Sequence, residues 1–170
     1  DVTGNTVSYF KWLTVASGGQ VLCGGGNLVM NSQSVASSWG VFSMTGGSID
    51  TENGNFAILL NSADDFDFTM SGGTIATGSG RMILGGVSGG EGTKVINMNL
   101  SGGASISGKL DLTNAHSAAA KTRTLNVGAG GFTISAAIRD GSFAGSGITK
   151  TGTGTLELAG VNTYTGTTTV

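Results

Sequence analysis

Proline is missing from this 170-residue chain altogether, cysteine occurs once, and charge is sparse, with eight basic and ten acidic residues. Each absence excludes something. Without proline no strand loses a backbone donor, and no edge is blocked against pairing. A lone Cys23 rules out an internal disulfide, and its scarcity suits either a reducing compartment or a secreted protein built without bridges. The basic residues are scattered, so the electrostatic footprint of a nucleic-acid binder is missing and no nucleic-acid partner is expected. No apolar run approaches the ~18–20 residues that a membrane-crossing helix requires, so no membrane insertion by this segment is expected. Asp1 opens a stretch without the basic start and apolar centre of a signal peptide, which reads as a mature or excised segment.

What is present is glycine, 32 residues of it, together with abundant Ser and Thr and a hydrophobic fraction of 38%. Gly and Thr are poor helix formers, whereas Thr, Val and Ile suit pleated strands, so almost no helix is expected. The apolar fraction is high enough to bury a core, which disordered chains lack.

The glycines are periodic. Gly-Gly pairs fall at 18–19, 46–47, 72–73, 102–103 and 130–131, at intervals of 28, 26, 30 and 28 residues. Before each pair stands an alternating strand ending in Val15, Met44, Met70, Leu100 or Val127, and after it an apolar mark at Val21, Ile49, Ile75, Ile106 or Ile134. Glycine accepts the positive φ of a sharp bend, so each pair reads as a corner. A third strand follows the next glycine in "GNLVM", "GNFAI", "GRMIL" and "GKLDL". Alternation assigns one set of side chains inward, yet one repeat cannot bury that set alone. Stacked repeats can, with each strand paired in parallel to its equivalent ~4.8 Å away. The expectation is an all-β, single-stranded parallel β-helix of about five to six coils with a period of about 26–30 residues. A β-sandwich also accommodates short strands but does not require residue types to match once per period.

The stretch "GSGITKTGTGTLELAGVNTYTGTTTV" at 145–170 resembles the repeat associated with autotransporter passenger domains. Ile148, Thr149, Lys150, Gly152, Gly154, Thr155, Leu156, Leu158, Gly160, Asn162, Thr163, Tyr164, Thr165, Gly166, Thr168 and Val170 follow the family pattern in order. The resemblance implies a right-handed β-helix on a bacterial cell surface or in the extracellular space, with the repeat aiding secretion and folding rather than catalysis. It suggests a division into coils at 1–144 and the passenger-type repeat at 145–170. "GTLEL" is expected to extend the third-strand series of "GKLDL", and Tyr164 to plug the core.

Variable segments follow the third strands at 31–38, 61–65, 85–93 and 114–121. They are expected along one edge of the rod, where solenoids often bind partners. Asp64, Asp65, Glu91, His116 and Lys121 mark that candidate interaction edge. Asp64, Asp65 and Asp67, with Asp50 or Glu52, are the carboxylates from which a calcium site or a polysaccharide-cleaving pair could be drawn. An acidic cluster is also what a solvated edge looks like, and no glycine-rich calcium nonapeptide accompanies it. No metal, catalytic or cofactor-binding residue is therefore assigned, and no cofactor is expected. His116 with Asp111 and a serine lacks the strained nucleophile turn of a hydrolase. Cys23 reads as packing, with no basic group near it in sequence to lower its pKa. Trp12, Trp39, Tyr9 and Tyr164 are candidates to stack on sugars. The Thr-rich runs at 151–155 and 165–170 do not recur upstream as an ice-binding array would require. The expected function is a non-catalytic stalk, fibre or adhesin-like segment, whose partners are neighbouring coils of a longer chain, a second copy stacked end to end, or host or surface glycans. The alternative is a carbohydrate-binding or polysaccharide-cleaving β-helix enzyme.

Overall fold

A computed structural model describes residues 7–31, 40–61, 64–88 and 90–170. Every described strand pair is parallel, and no described residue is helical. The strands in chain order are β1 Val7–Phe10, β2 Trp12–Val15, β3 Gln20–Leu22, β4 Asn27–Asn31, β5 Gly40–Asp50 and β6 Phe56–Leu60. They continue as β7 Phe66–Ala76, β8 Met82–Gly86, β9 Ile96–Leu100, β10 Ala104–Ser107, β11 Lys109–Asp111 and β12 Thr122–Val127. The remainder are β13 Phe132–Ile134, β14 Ala137–Arg139, β15 Gly147–Thr151, β16 Leu156–Leu158 and β17 Thr168–Thr169. One sheet runs β1-β4-β6-β8-β11-β14, which is the third-strand face, one rung per turn. The other sheet, of 11 strands, carries the first and second strands of each turn. This is the stacked parallel β-solenoid that the periodicity predicts.

The core is a set of columns. Met44 lies opposite Met70, and Met70 opposite Leu100, while Leu100 lies opposite Val127. All four are at most 1% exposed. Phe42 and Phe68 are register partners and stack with ring centroids 4.7 Å apart at 14°, so their separation is set by the strand spacing itself. Phe56, from the opposite sheet, meets Phe42 at 5.5 Å and closes the interior between the sheets. Each fully buried side chain of this size contributes on the order of 1.5–3 kcal/mol.

The corners explain the glycines. β5 and β7 continue through their Gly-Gly pairs, where Gly47 and Gly73 take φ of 77° and 86°; the strands bend there, and the β5–β7 register shifts between Met44 and Ser48 before resuming at Ser48 opposite Thr74. At the next corner a Cβ on Gly54 would collide with the carbonyl of Gly26, and one on Gly80 with that of Gly54, so this column is closed to any side chain. The same corner repeats a short turn, with Gly26 N–H donating to Cys23 O, Gly54 N–H to Thr51 O and Gly80 N–H to Thr77 O, each at 2.8 Å. Cys23, Thr51 and Thr77 are all fully buried and occupy equivalent places in successive turns.

Two details depart from the sequence-based expectation. "GTLEL" does not extend the third-strand face: β16 pairs with β13 in the larger sheet, because Gly152, at φ 78°, makes the corner that follows β15. The third strand of the preceding turn is instead β14, "AIR", which no glycine introduces. The segment 7–15 divides at Lys11, with β1 joining one sheet and β2 the other. The last rung is short, since Ile148 lies opposite Thr168.

Candidate functional site

The segments that follow the third strands contact one another from turn to turn. Asp65 Oδ1 accepts the Val95 N–H at 2.9 Å. Asn114 Oδ1 accepts the Gly86 N–H at 3.0 Å and its amide donates back to Gly86 O at 2.8 Å. Lys121 Nζ donates to Gly92 O at 3.0 Å. Asp65, Lys121 and the backbone of His116, whose N–H donates to Asn114 Oδ1, therefore belong to one stacked edge, and the His116 side chain is exposed. Asp64 is 9% exposed, and its N–H donates to Asn61 Oδ1. The candidate segment 31–38, with Trp39, lies outside the described residues apart from Asn31, as do Ser62, Ala63 and Gly89.

Glu91, one of the candidate edge residues, is withdrawn from solvent. It is fully buried, and its carboxylate takes a two-pronged contact from Arg123, Nη1 to Oε2 at 2.9 Å and Nη2 to Oε1 at 3.1 Å. Arg123 is 5% exposed and also donates to Leu112 O and Leu84 O, each at 2.9 Å, while Lys121 Nζ lies 4.0 Å from Glu91. The guanidinium fork matches a carboxylate, and the two carbonyls occupy further donors, so both charges are buried with partners. A signal for this was present in "TRTLNV", where alternation with Leu125 and Val127 puts Arg123 inward; an inward arginine demands a buried acid, and Glu91 in the preceding loop supplies it.

Beside this pair the edge opens into a groove of about 430 Å³ over β9 and β12. Lys94, Lys121, Asn97, Asn99, Thr124 and Asn126 line it, together with the exposed Val95. The asparagines are already laddered: Asn126 Nδ2 donates to Asn99 Oδ1 at 2.9 Å, and Asn97 Nδ2 to Asp67 Oδ1 at 2.8 Å. The lining offers amides, hydroxyls and ammonium groups, and holds no carboxylate, histidine or cysteine that would move a proton or attack a bond. Its chemistry combines hydrogen-bond donors and acceptors along the walls with a largely apolar surface between them.

Asp65 and Asp67 each already accept a hydrogen bond from the next turn, and among the described residues no group of three or more acids, histidines or cysteines could hold a metal ion. Asp111 is held between Arg81 and Arg139 instead of orienting a histidine. Burial, with Asp50 and Glu52 adding to it, pushes the Cys23 thiol up, away from the thiolate form. Trp12 is 63% exposed with the Lys11 ammonium 5.4 Å from its ring centre, and Tyr164 is half-buried against the core.

A family model described as the passenger-associated-transport-repeat matches residues 148–170. The "Adhesin BmaC autotransporter" of Brucella suis biovar 1 (strain 1330) is 30% identical over 184 aligned residues, covering 99% of this chain. The chain spans 5% of the length of that relative. No solved structure matches it significantly. The repeat occupies the rungs from Ile148 onward, and the similarity to the autotransporter extends over all the coils before it. The chain is thus a β-solenoid segment that carries the passenger-associated-transport-repeat at residues 148–170 and is similar, over nearly all its length, to part of an autotransporter.

Proposed function

We propose that this segment is a non-catalytic structural and adhesive module of a surface-exposed or secreted passenger, a rigid rod whose loop edge meets glycans on a neighbouring surface. The observation that carries this reading is the 30% identity, over 99% of the chain, to an autotransporter named as an adhesin. The groove beside Lys94 and Lys121 supports it, because amide and hydroxyl ladders on a fixed backbone present a preorganised surface to a polyhydroxyl ligand. The lining brings together no pair of carboxylates to serve as the acid and base of a glycoside hydrolase, which favours binding over cleavage.

The test pairs two assays on the purified chain. Beads coated with it should adhere to glycan-bearing surfaces above an uncoated control, and Lys94→Glu with Lys121→Glu should lower that adhesion. Incubation with the same polysaccharides should release no reducing or unsaturated ends. Release of such ends, with adhesion no better than the control, would establish the enzymatic alternative instead.

A further inference from the structure

A second polar groove, of about 380 Å³, lies on the outer side of the third-strand sheet. Asp111 on β11 and Arg139 on β14 are register partners there, and Arg81 precedes β8 by one residue. Asp111 is nearly buried, its side chain 5% exposed, while the Arg81 and Arg139 side chains remain 47% and 34% exposed. Arg81 Nη1 donates to Asp111 Oδ2 at 3.1 Å, and Arg139 donates to Oδ1 through Nε at 2.8 Å and through Nη2.

The carboxylates of this groove and the Asn114 amide oxygen are already engaged. Asp111 takes three bonds from the two arginines. Asp140 takes the Thr165 N–H on both oxygens and the Thr165 hydroxyl on one. Asn114 Oδ1 takes the N–H groups of Gly86 and His116 and the Ser117 hydroxyl. The donors are not. Arg81 keeps Nε and Nη2, and Arg139 keeps Nη1, without an acceptor among the described residues. An arginine presents five N–H donors and accepts nothing, so a ligand completing the groove must bring acceptor oxygens. Arg81 and Arg139 balance Asp111 and Asp140 in formal charge, so the pull on a ligand is the directed geometry of the forks rather than a net field. The volume falls in the range of small-molecule sites and is lined mainly by polar groups.

We infer that Arg81 and Arg139 form a binding site for the carboxylate of an acidic sugar, with Asp111 as the positioning residue that holds the two guanidinium planes. The inference rests on the adhesive reading only for where such a ligand would be met.

Titration of the 170-residue chain with glucuronate, glucose and glucose 6-sulfate, followed by calorimetry or by NMR shifts, tests it. Glucuronate should saturate one site at least tenfold more tightly than glucose and more tightly than the sulfate. Arg81→Gln should weaken glucuronate at least tenfold and leave the thermal transition in place, because Arg139 still pairs Asp111. Arg139→Lys, which keeps the charge but cannot grip Asp111 through two nitrogens while offering a third to the ligand in a fixed plane, should weaken it as well. Equal binding of glucose and glucuronate, sulfate binding as tightly as the carboxylate, or unchanged affinity in folded Arg81→Gln would each overturn the assignment. Glucuronate binding without adhesion to any surface would overturn the adhesive reading and leave this site standing. Adhesion by a chain that does not bind glucuronate would overturn this site alone.

Discussion

From β7 to β12 two neighbouring columns of the core differ by one charged residue. Phe42, Phe68, Met98 and Leu125 follow one another as an apolar column, which Lys150 ends on β15. Two residues earlier on the same strands, Phe66 and Ile96 are register partners, but Arg123 stands on β12 where the next apolar residue belongs, and its own partner on β15 is Ile148. The apolar column needs nothing but volume from its neighbours. The other holds because Glu91, Leu84 O and Leu112 O, drawn from earlier turns, surround the guanidinium. A stacked fold therefore tolerates a core charge only when other turns supply the whole set of partners.

The difference is sharpest when a charge enters the apolar interior without partners. Met70→Asp should destabilise the chain by more than about 4 kcal/mol, since no donor waits among the residues above and below it. Denaturant melts should show loss of cooperative unfolding, and a variant as stable as the wild type would remove Met70 from the core. Volume alone should cost less. Phe68→Ala removes the ring stacked on Phe42 and should cost about 3–5 kcal/mol in the same melts. At the edge the effect should shrink again: Asp65→Ala loses one acceptor for the Val95 N–H, and a cost of about 1 kcal/mol is expected. The smallest effect concerns Cys23. Its buried thiol, held protonated by burial beside Asp50 and Glu52, should react with a thiol reagent at mildly alkaline pH only as fast as the chain unfolds. Labelling at the rate of a free thiol would contradict the packed corner.

Much of this was legible in the sequence for a physical reason: in a stack each turn faces a copy of itself, so periodicity reports contact directly. Met44, Met70, Leu100 and Val127 could be aligned by eye and are register partners. "GTLEL" misled because the third-strand pattern, Gly-x-Leu-x-Leu, also fits a strand that follows the Gly152 corner, and only pairing with β13 separates the two. β14 escaped because it lacks the introducing glycine. Of the edge residues, Glu91 is buried without any local mark of it in its glycine-rich loop; only the alternation that turns Arg123 inward, a turn later, calls for a buried acid. The groove between Arg81 and Arg139 was hidden for another reason: its members come from three different turns, and nothing in local spacing joins them.

The claim that the turns supply one another's side-chain partners is tested most directly by a double-mutant cycle at the buried pair. Glu91→Leu alone should cost about 3–5 kcal/mol by leaving Arg123 charged and unpaired, and Arg123→Leu alone should cost a similar amount by stranding Glu91. The double leucine variant should recover most of that loss, unfolding within about 1 kcal/mol of the wild type or above it. Single variants that unfold like the wild type, or a double variant whose loss is the sum of the two, would contradict the account.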